Sequence, residues 1–131
     1  MIFLDTSYFK GLSDEKDSHH IEALKINEKI NSLNEKTVIN TTVLVETLNR
    51  TAKRDILANN VYDDLRSKHK IVSLTKQDYL KSLEINTWYG NSINFNDCTI
   101  INTMFVMNIQ DIVTFDSDFK KIKGFNILTD I

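Results

Sequence analysis

The chain has no proline and only three glycines, Gly11, Gly90 and Gly124, in 131 residues. Linkers between domains are usually rich in these two residues, so a single domain over residues 1–131 is expected. One cysteine, Cys98, excludes an internal disulfide and makes a reducing, cytoplasmic compartment the default. No apolar run approaches the ~18–20 residues of a membrane span, so no membrane partner is expected. The start, MIFLDTSYFKG, has no basic leader and its apolar run stops at Asp5, unlike a secretory signal. An excess of positive charge is also absent. Sixteen Lys and Arg face eighteen Asp and Glu, for a net charge of −2. That balance does not exclude a nucleic-acid partner. If four acids surround a metal ion, the rest of the surface is slightly positive.

What is present is an alternation of short apolar runs and amphipathic stretches. Residues 1–5 (MIFLD) read as a buried strand. Asp17 to Lys36 carries Ile21, Leu24, Ile26, Ile30 and Leu33 at helical spacing. Val38 and Ile39 form a second strand. Thr41 or Thr42 then caps a helix through Arg50 that holds Glu46. Residues 54–69 repeat the helical period with Ile56, Leu57, Val61, Tyr62 and Leu65. Ile71, Val72 and Leu74 form a third strand. A helix from Thr75 contains Tyr79, Leu80, Leu83 and Trp88. Asn94 or Asn96 caps a helix to about Asn108 with Cys98, Ile101, Met104 and Phe105 on its apolar face. Residues 111–115 (DIVTF) and 125–128 (FNIL) supply a fourth and a fifth strand. This order predicts an α/β fold of three layers, α/β/α, around a mostly parallel sheet of four to five strands.

Ligands on such sheets bind at the carboxyl ends of the strands. Asp5 ends the first strand and Asp116 follows the fourth. Asp97 lies in the first turn of a helix, and Glu46 lies early in the helix after the second strand. All four can face one edge of the sheet. Converging carboxylates suit a hard divalent cation and repel one another without one. The helix dipole favours an ionised Asp97. Each acid alone has an ordinary explanation, as a turn, cap or solvated helix residue. The conjunction is what points to a metal site. Asp118, two residues after Asp116, either substitutes for it or assists it.

Four blocks carry a family resemblance: FLDTS, TTVLVETLNR, FNDC and IVTFDSDF. Their order and spacing, over residues 2 to 128, resemble PIN-domain nucleases, in particular the VapC-type toxin ribonucleases. The resemblance puts the family's four acids on Asp5, Glu46, Asp97 and Asp116. Thr6 and Thr114 match hydroxyls that order the site, and His20 with Ala23 matches an H-x-x-A after the first helix. The chain departs from the pattern at Cys98, where alanine is usual. It departs again at Ile100–Met104, where the family's helix is alanine-rich.

The resemblance implies a metal-dependent endoribonuclease using one or two Mg²⁺ or Mn²⁺ ions. Asp5, Asp97 and Asp116 would be direct ligands. Glu46 would bind directly, through water, or by orienting the nucleophile. It also implies an RNA substrate, a cognate VapB-like antitoxin and a homodimer. A housekeeping RNA-processing nuclease and an inactive PIN-like binding module are the alternatives. Phosphatases with a strand-end Asp need a second Asp where Ser7 stands, and receivers need an acidic pair that Asp14 and Glu15 lie too far along to supply.

Arg50, Lys53 and Arg54 near Glu46, and Lys120, Lys121 and Lys123 after Asp116, are candidate phosphate contacts or a solvated charged face. His19 and His20 lack a third ligand and read as surface or helix-packing residues. Cys98 has no basic partner and reads as an inert buried thiol. Trp88 and Tyr89 read as core or partner interface before base stacking.

Overall fold

The computed structural model describes residues 1–129. The strands are β1 (Ile2–Leu4), β2 (Thr37–Asn40), β3 (Lys70–Val72), β4 (Asp111–Val113) and β5 (Asn126–Ile127). They form one sheet in the order β3-β2-β1-β4-β5, and every pairing is parallel. The helices are α1 (Thr6–Ser13), α2 (His20–Leu33), α3 (Thr41–Thr51), α4 (Ala58–Lys68), α5 (Lys76–Trp88) and α6 (Phe95–Met107). A 3₁₀ turn spans Ser117–Lys121.

Topology explains the layers. From β1 the chain moves outward through β2 to β3, carrying α1 to α4. It then crosses back past β1 to β4, carrying α5 and α6. Right-handed crossovers in opposite directions place their helices on opposite faces. Contacts agree: α1 packs on α2 and α3, α3 on α4, and α5 on α6. The strand order reverses between β1 and β4, so the crevice for a ligand opens beyond their carboxyl ends. The innermost strands have apolar centres because both faces are covered. Phe3, Leu4, Val38, Ile39, Ile112 and Val113 are fully buried.

Several sequence expectations shift. The reading had no helix directly after Asp5, yet α1 fills residues 6–13 and buries Tyr8 and Phe9. Helix α2 starts at His20 rather than Asp17. Its core face is Ala23, Ile26 and Ile30, while Ile21, Leu24 and Leu33 are exposed. The cap of α3 is Asn40, not Thr41 or Thr42, because the Asn40 carboxamide accepts from the Val43 amide at 3.1 Å. Helix α5 turns Tyr79, Leu80, Leu83 and Trp88 outward. It packs through Ser82, Ile85 and Tyr89 instead. Phe105 on α6 is also exposed, whereas Cys98, Ile100, Ile101 and Met104 are fully buried. Asn94, not Asn96, caps α6, accepting from the Asp97 amide at 2.9 Å.

At the far edge of the sheet, His69 is wedged against the Phe9 ring and lies 2.6 Å from the Thr37 hydroxyl. Burial, with Lys68 beside it, pushes this imidazole down to about 4. In the unfolded chain it titrates near ~6.5. Its contribution to stability is therefore complete above ~6.5 and is lost as pH falls toward 4. Urea unfolding at pH 7 and pH 4.5 checks this. Over that interval the wild type should lose about 1–2 kcal/mol more than His69→Phe, a figure discounted for partial exposure.

Candidate active site

Asp5 directly follows β1, at the start of α1, and is 5% exposed. Its Oδ2 accepts two hydroxyl bonds, from Thr114 Oγ1 at 2.7 Å and Ser7 Oγ at 2.9 Å. Burial raises its carboxyl above the ordinary range, and these two hydroxyls oppose that rise. Thr114 Oγ1 also accepts from the Asp116 amide at 3.0 Å, so one side chain ties the ends of β1 and β4 together. Asp116 in turn accepts from the Asp118 amide at 2.9 Å, which starts the 3₁₀ turn.

Asp97 lies in the first turn of α6 and is 7% exposed. Its Oδ2 is buried without a hydrogen-bond partner. Burial is the largest cause that pushes its carboxyl up to about 8. The charges of Asp5, Asp116 and Glu46 add to it. One carboxylate oxygen each from Asp97, Asp116 and Asp118 lies within 4.8 Å of the other two. Glu46 reaches the group from α3. Its Oε1 accepts from Thr6 Oγ1 at 2.8 Å and its Oε2 from Asn96 Nδ2 at 3.4 Å.

Four elements thus deliver carboxylates to one edge of the sheet. The donor set is all oxygen, one oxygen is buried and unpaired, and burial together with the neighbouring carboxylates raises the Asp97 carboxyl. Those properties fit a hard divalent cation such as Mg²⁺ or Mn²⁺.

A family model for the PIN domain matches residues 2–124. The chain belongs to the PIN-domain family. Solved structures resemble it over nearly their whole length. One is VapC20 of Mycobacterium tuberculosis, described as a toxin that cleaves the sarcin-ricin loop. It is 22% identical, with a TM-score of 0.78, covering 96% of this chain and 97% of that one. Another is VapBC2 of Rickettsia felis bound to a DNA fragment from its promoter, 20% identical, TM-score 0.70, 97% of each chain covered. A third is DNA-bound VapBC of Salmonella typhimurium, 17% identical, TM-score 0.64, covering 96% and 95%. No curated protein sequence matches the chain.

The PIN fold brings together the acids named from sequence, and it places Asp118 with Asp97 and Asp116 rather than apart. Asp118 also pairs with Lys121 at 3.1 Å, so that lysine answers a carboxylate of the cluster. Lys120 follows in the same turn and is exposed. Arg50 lies four residues after Glu46, on the same face of α3. With Lys53 it borders a groove between α1, α3 and α4. Arg54 is exposed in the loop after α3.

Sequence reasoning missed Ser7 and Asn96. Ser7 Oγ donates to Asp5 and accepts from the Phe115 amide at 2.9 Å. The signal was available: a hydroxyl two residues after a strand-end Asp is a common local turn partner. Asn96 gave no such signal, because its bond to Glu46 spans 50 positions.

Proposed function

We propose that this PIN domain is a magnesium- or manganese-dependent endoribonuclease, the toxin of a VapBC-type pair. The observation that carries the reading is Asp97, with a buried and unpartnered Oδ2, clustered with Asp116 and Asp118 in a PIN fold. The structural likeness to VapC20 supports RNA as the substrate class, and that to the two VapBC assemblies supports an antitoxin partner.

The reaction is hydrolysis of a phosphodiester. The oxygen of water bonds to phosphorus, the bond to the 3′ oxygen breaks, and that oxygen takes up a proton. Asp5, Asp97 and Asp116 would hold one or two divalent ions, with Asp118 assisting and Glu46 either binding or orienting the water. Such an ion supplies positive charge that activates water and stabilises the leaving oxygen. Ser7 and Thr114 aim the Asp5 carboxylate, and Thr6 aims Glu46. A bound cation would favour the ionised carboxylate of Asp97. Arg50, Lys53, Arg54 and Lys120 would meet flanking phosphates.

The exposed face of α5, with Tyr79, Leu80, Leu83 and Trp88, suits a homodimer contact. The groove between α1, α3 and α4, about 570 Å³ with Phe9, Leu12, Val61 and Leu65 in its wall, suits a docked antitoxin segment. Helices α1 and α3 also carry Thr6 and Glu46, so a segment there would approach the acidic edge. A cytoplasmic location fits this role; among the described residues no helix is long and apolar enough to cross a membrane.

Two measurements test the reading. Purified protein should cut single-stranded RNA with Mg²⁺ or Mn²⁺ and stop in EDTA. Millimolar Mn²⁺ should also raise the melting temperature at pH 7.5, by roughly 3–8 °C. Absence of both cleavage and a melting shift would dismiss the metal site. For the toxin role, expression should arrest growth and a small neighbouring gene should relieve it. Cleavage without arrest would favour a housekeeping RNA-processing enzyme.

A further inference from the structure

Beside the acidic edge stands an aromatic pair that the proposed chemistry does not use. The His19 ring lies flat on the Phe115 ring, with centroids 4.3 Å apart and planes 2° from parallel. Phe115 sits between Thr114, which bonds Asp5, and Asp116. Its amide is held by Ser7 Oγ, so the backbone under the ring is part of the network that aims Asp5. The ring edge approaches Gly11 of α1, where an added Cβ would lie 3.5 Å from Phe115 Cε2. His19 is fixed as firmly. Its amide donates to Asp17 Oδ1 at 2.8 Å, and its carbonyl accepts from the Ala23 amide at 2.9 Å. The Nδ1 atom is buried without a hydrogen-bond partner, with Glu22 Oε1 3.9 Å away. Yet the side chain as a whole is 42% exposed. The exposure therefore lies on side-chain atoms other than Nδ1.

We infer that His19 and Phe115 form a stacking subsite for one nucleobase of single-stranded RNA, next to the acidic edge. A fixed two-ring stack whose histidine side chain stays 42% exposed offers a third ring the offset geometry aromatic groups prefer. Every base has such a face, so the subsite takes a base of any identity and fixes the strand's path beside Asp116. The ordinary alternative, that the pair only packs α2 onto the strand end, predicts no effect of the ligand's base. This inference rests on the RNA reading above.

The test uses 2-aminopurine, a fluorescent base that is quenched on stacking. It is placed at successive positions of a short single-stranded RNA, in complex with Asp97→Asn protein so that nothing is cut. At one position quenching should appear with His19 and with His19→Phe, and vanish with His19→Ala. In the cleavage-competent protein, His19→Ala should raise KM about tenfold with kcat within twofold, and His19→Phe should restore it. An abasic residue at the quenched position should cost the wild type that same factor and His19→Ala almost nothing. Equal quenching by His19→Ala and wild type, or additive abasic and His19→Ala penalties, would overturn the subsite while leaving the nuclease standing. A wild type that neither binds nor cuts RNA would overturn both.

Discussion

Asp97→Asn is expected to reduce RNA cleavage at least a hundredfold, about 2.7 kcal/mol of transition-state stabilisation, while making the metal-free protein more stable. The two effects have one cause. Asp97 is buried beside Asp5 and Asp116, and its carboxyl is pushed up to about 8. In the unfolded chain it returns to its ordinary value of 3.8. Between those values the folded protein holds a proton that the unfolded chain has released. The unfolded state then binds fewer protons, so stability falls as pH rises from about 4 to about 8 and levels above that. Asparagine has nearly the same shape and does not titrate. In EDTA at pH 4 the two proteins should melt close together. At pH 9 the variant should melt higher, by roughly 5–10 °C. Adding Mn²⁺ should close that gap from the wild-type side only. Equal melting at pH 9, or undiminished cleavage by the folded variant, would remove Asp97 from the centre of the site.

That one substitution separates what the sequence made legible from what it did not. Asp5, Asp97 and Asp116 were readable because strand ends and helix starts are places where a short pattern fixes a direction. An apolar run that stops at an acid points the acid out of the carboxyl edge, and parallel strands share that edge. Asp118 was harder to place. Whether it faces the cluster depends on the 3₁₀ turn, and that turn is set by Asp116 accepting from the Asp118 amide. The core of the sheet was equally readable, since runs such as IFL and VI have no polar alternative. The faces of the helices were not. Helix α2 has more apolar residues than it has core-facing positions, so periodicity chose Ile21 and Leu24 along with Ile26. On α5 the pattern selected the outward face, because Ser82 and Asp78 serve as packing and bonding residues against α6. Asp78 accepts from Asn102 at 3.1 Å, and Ser82 is fully buried. A small polar residue in a helix–helix contact carries no hydrophobic signal.

Asn40 is the same problem at its sharpest, and its replacement by alanine should be the most destabilising polar substitution near the site. By sequence the two threonines that follow it are the expected caps. Those threonines act elsewhere. Thr41 Oγ1 accepts from the Leu74 amide at 3.2 Å, and Thr42 Oγ1 lies 2.7 Å from Thr99 Oγ1. Asn40 is fully buried at the end of β2. Its Oδ1 accepts from the Val43 amide in the first turn of α3. Its Nδ2 donates to the Thr99 carbonyl at 3.3 Å and the Thr103 hydroxyl at 3.1 Å, both on α6. Helix α3 carries Glu46 and α6 carries Asp97, so one carboxamide sets the distance between two acids of the site without touching either. Alanine removes all three bonds, the cap among them, and leaves a buried amide hydrogen and a void. The expected loss is about 2–4 kcal/mol, the cost of a cap plus a buried polar group left unpaired. Serine can restore the cap but cannot reach α6 with two donors, so Asn40→Ser should recover only part of it. Urea unfolding in EDTA measures both. If the bridge aligns the site as well as the fold, the metal-dependent rise in melting temperature should be smaller in Asn40→Ser than in the wild type. A serine variant with reduced stability but an undiminished metal response would mean that α3 and α6 keep their spacing by packing alone.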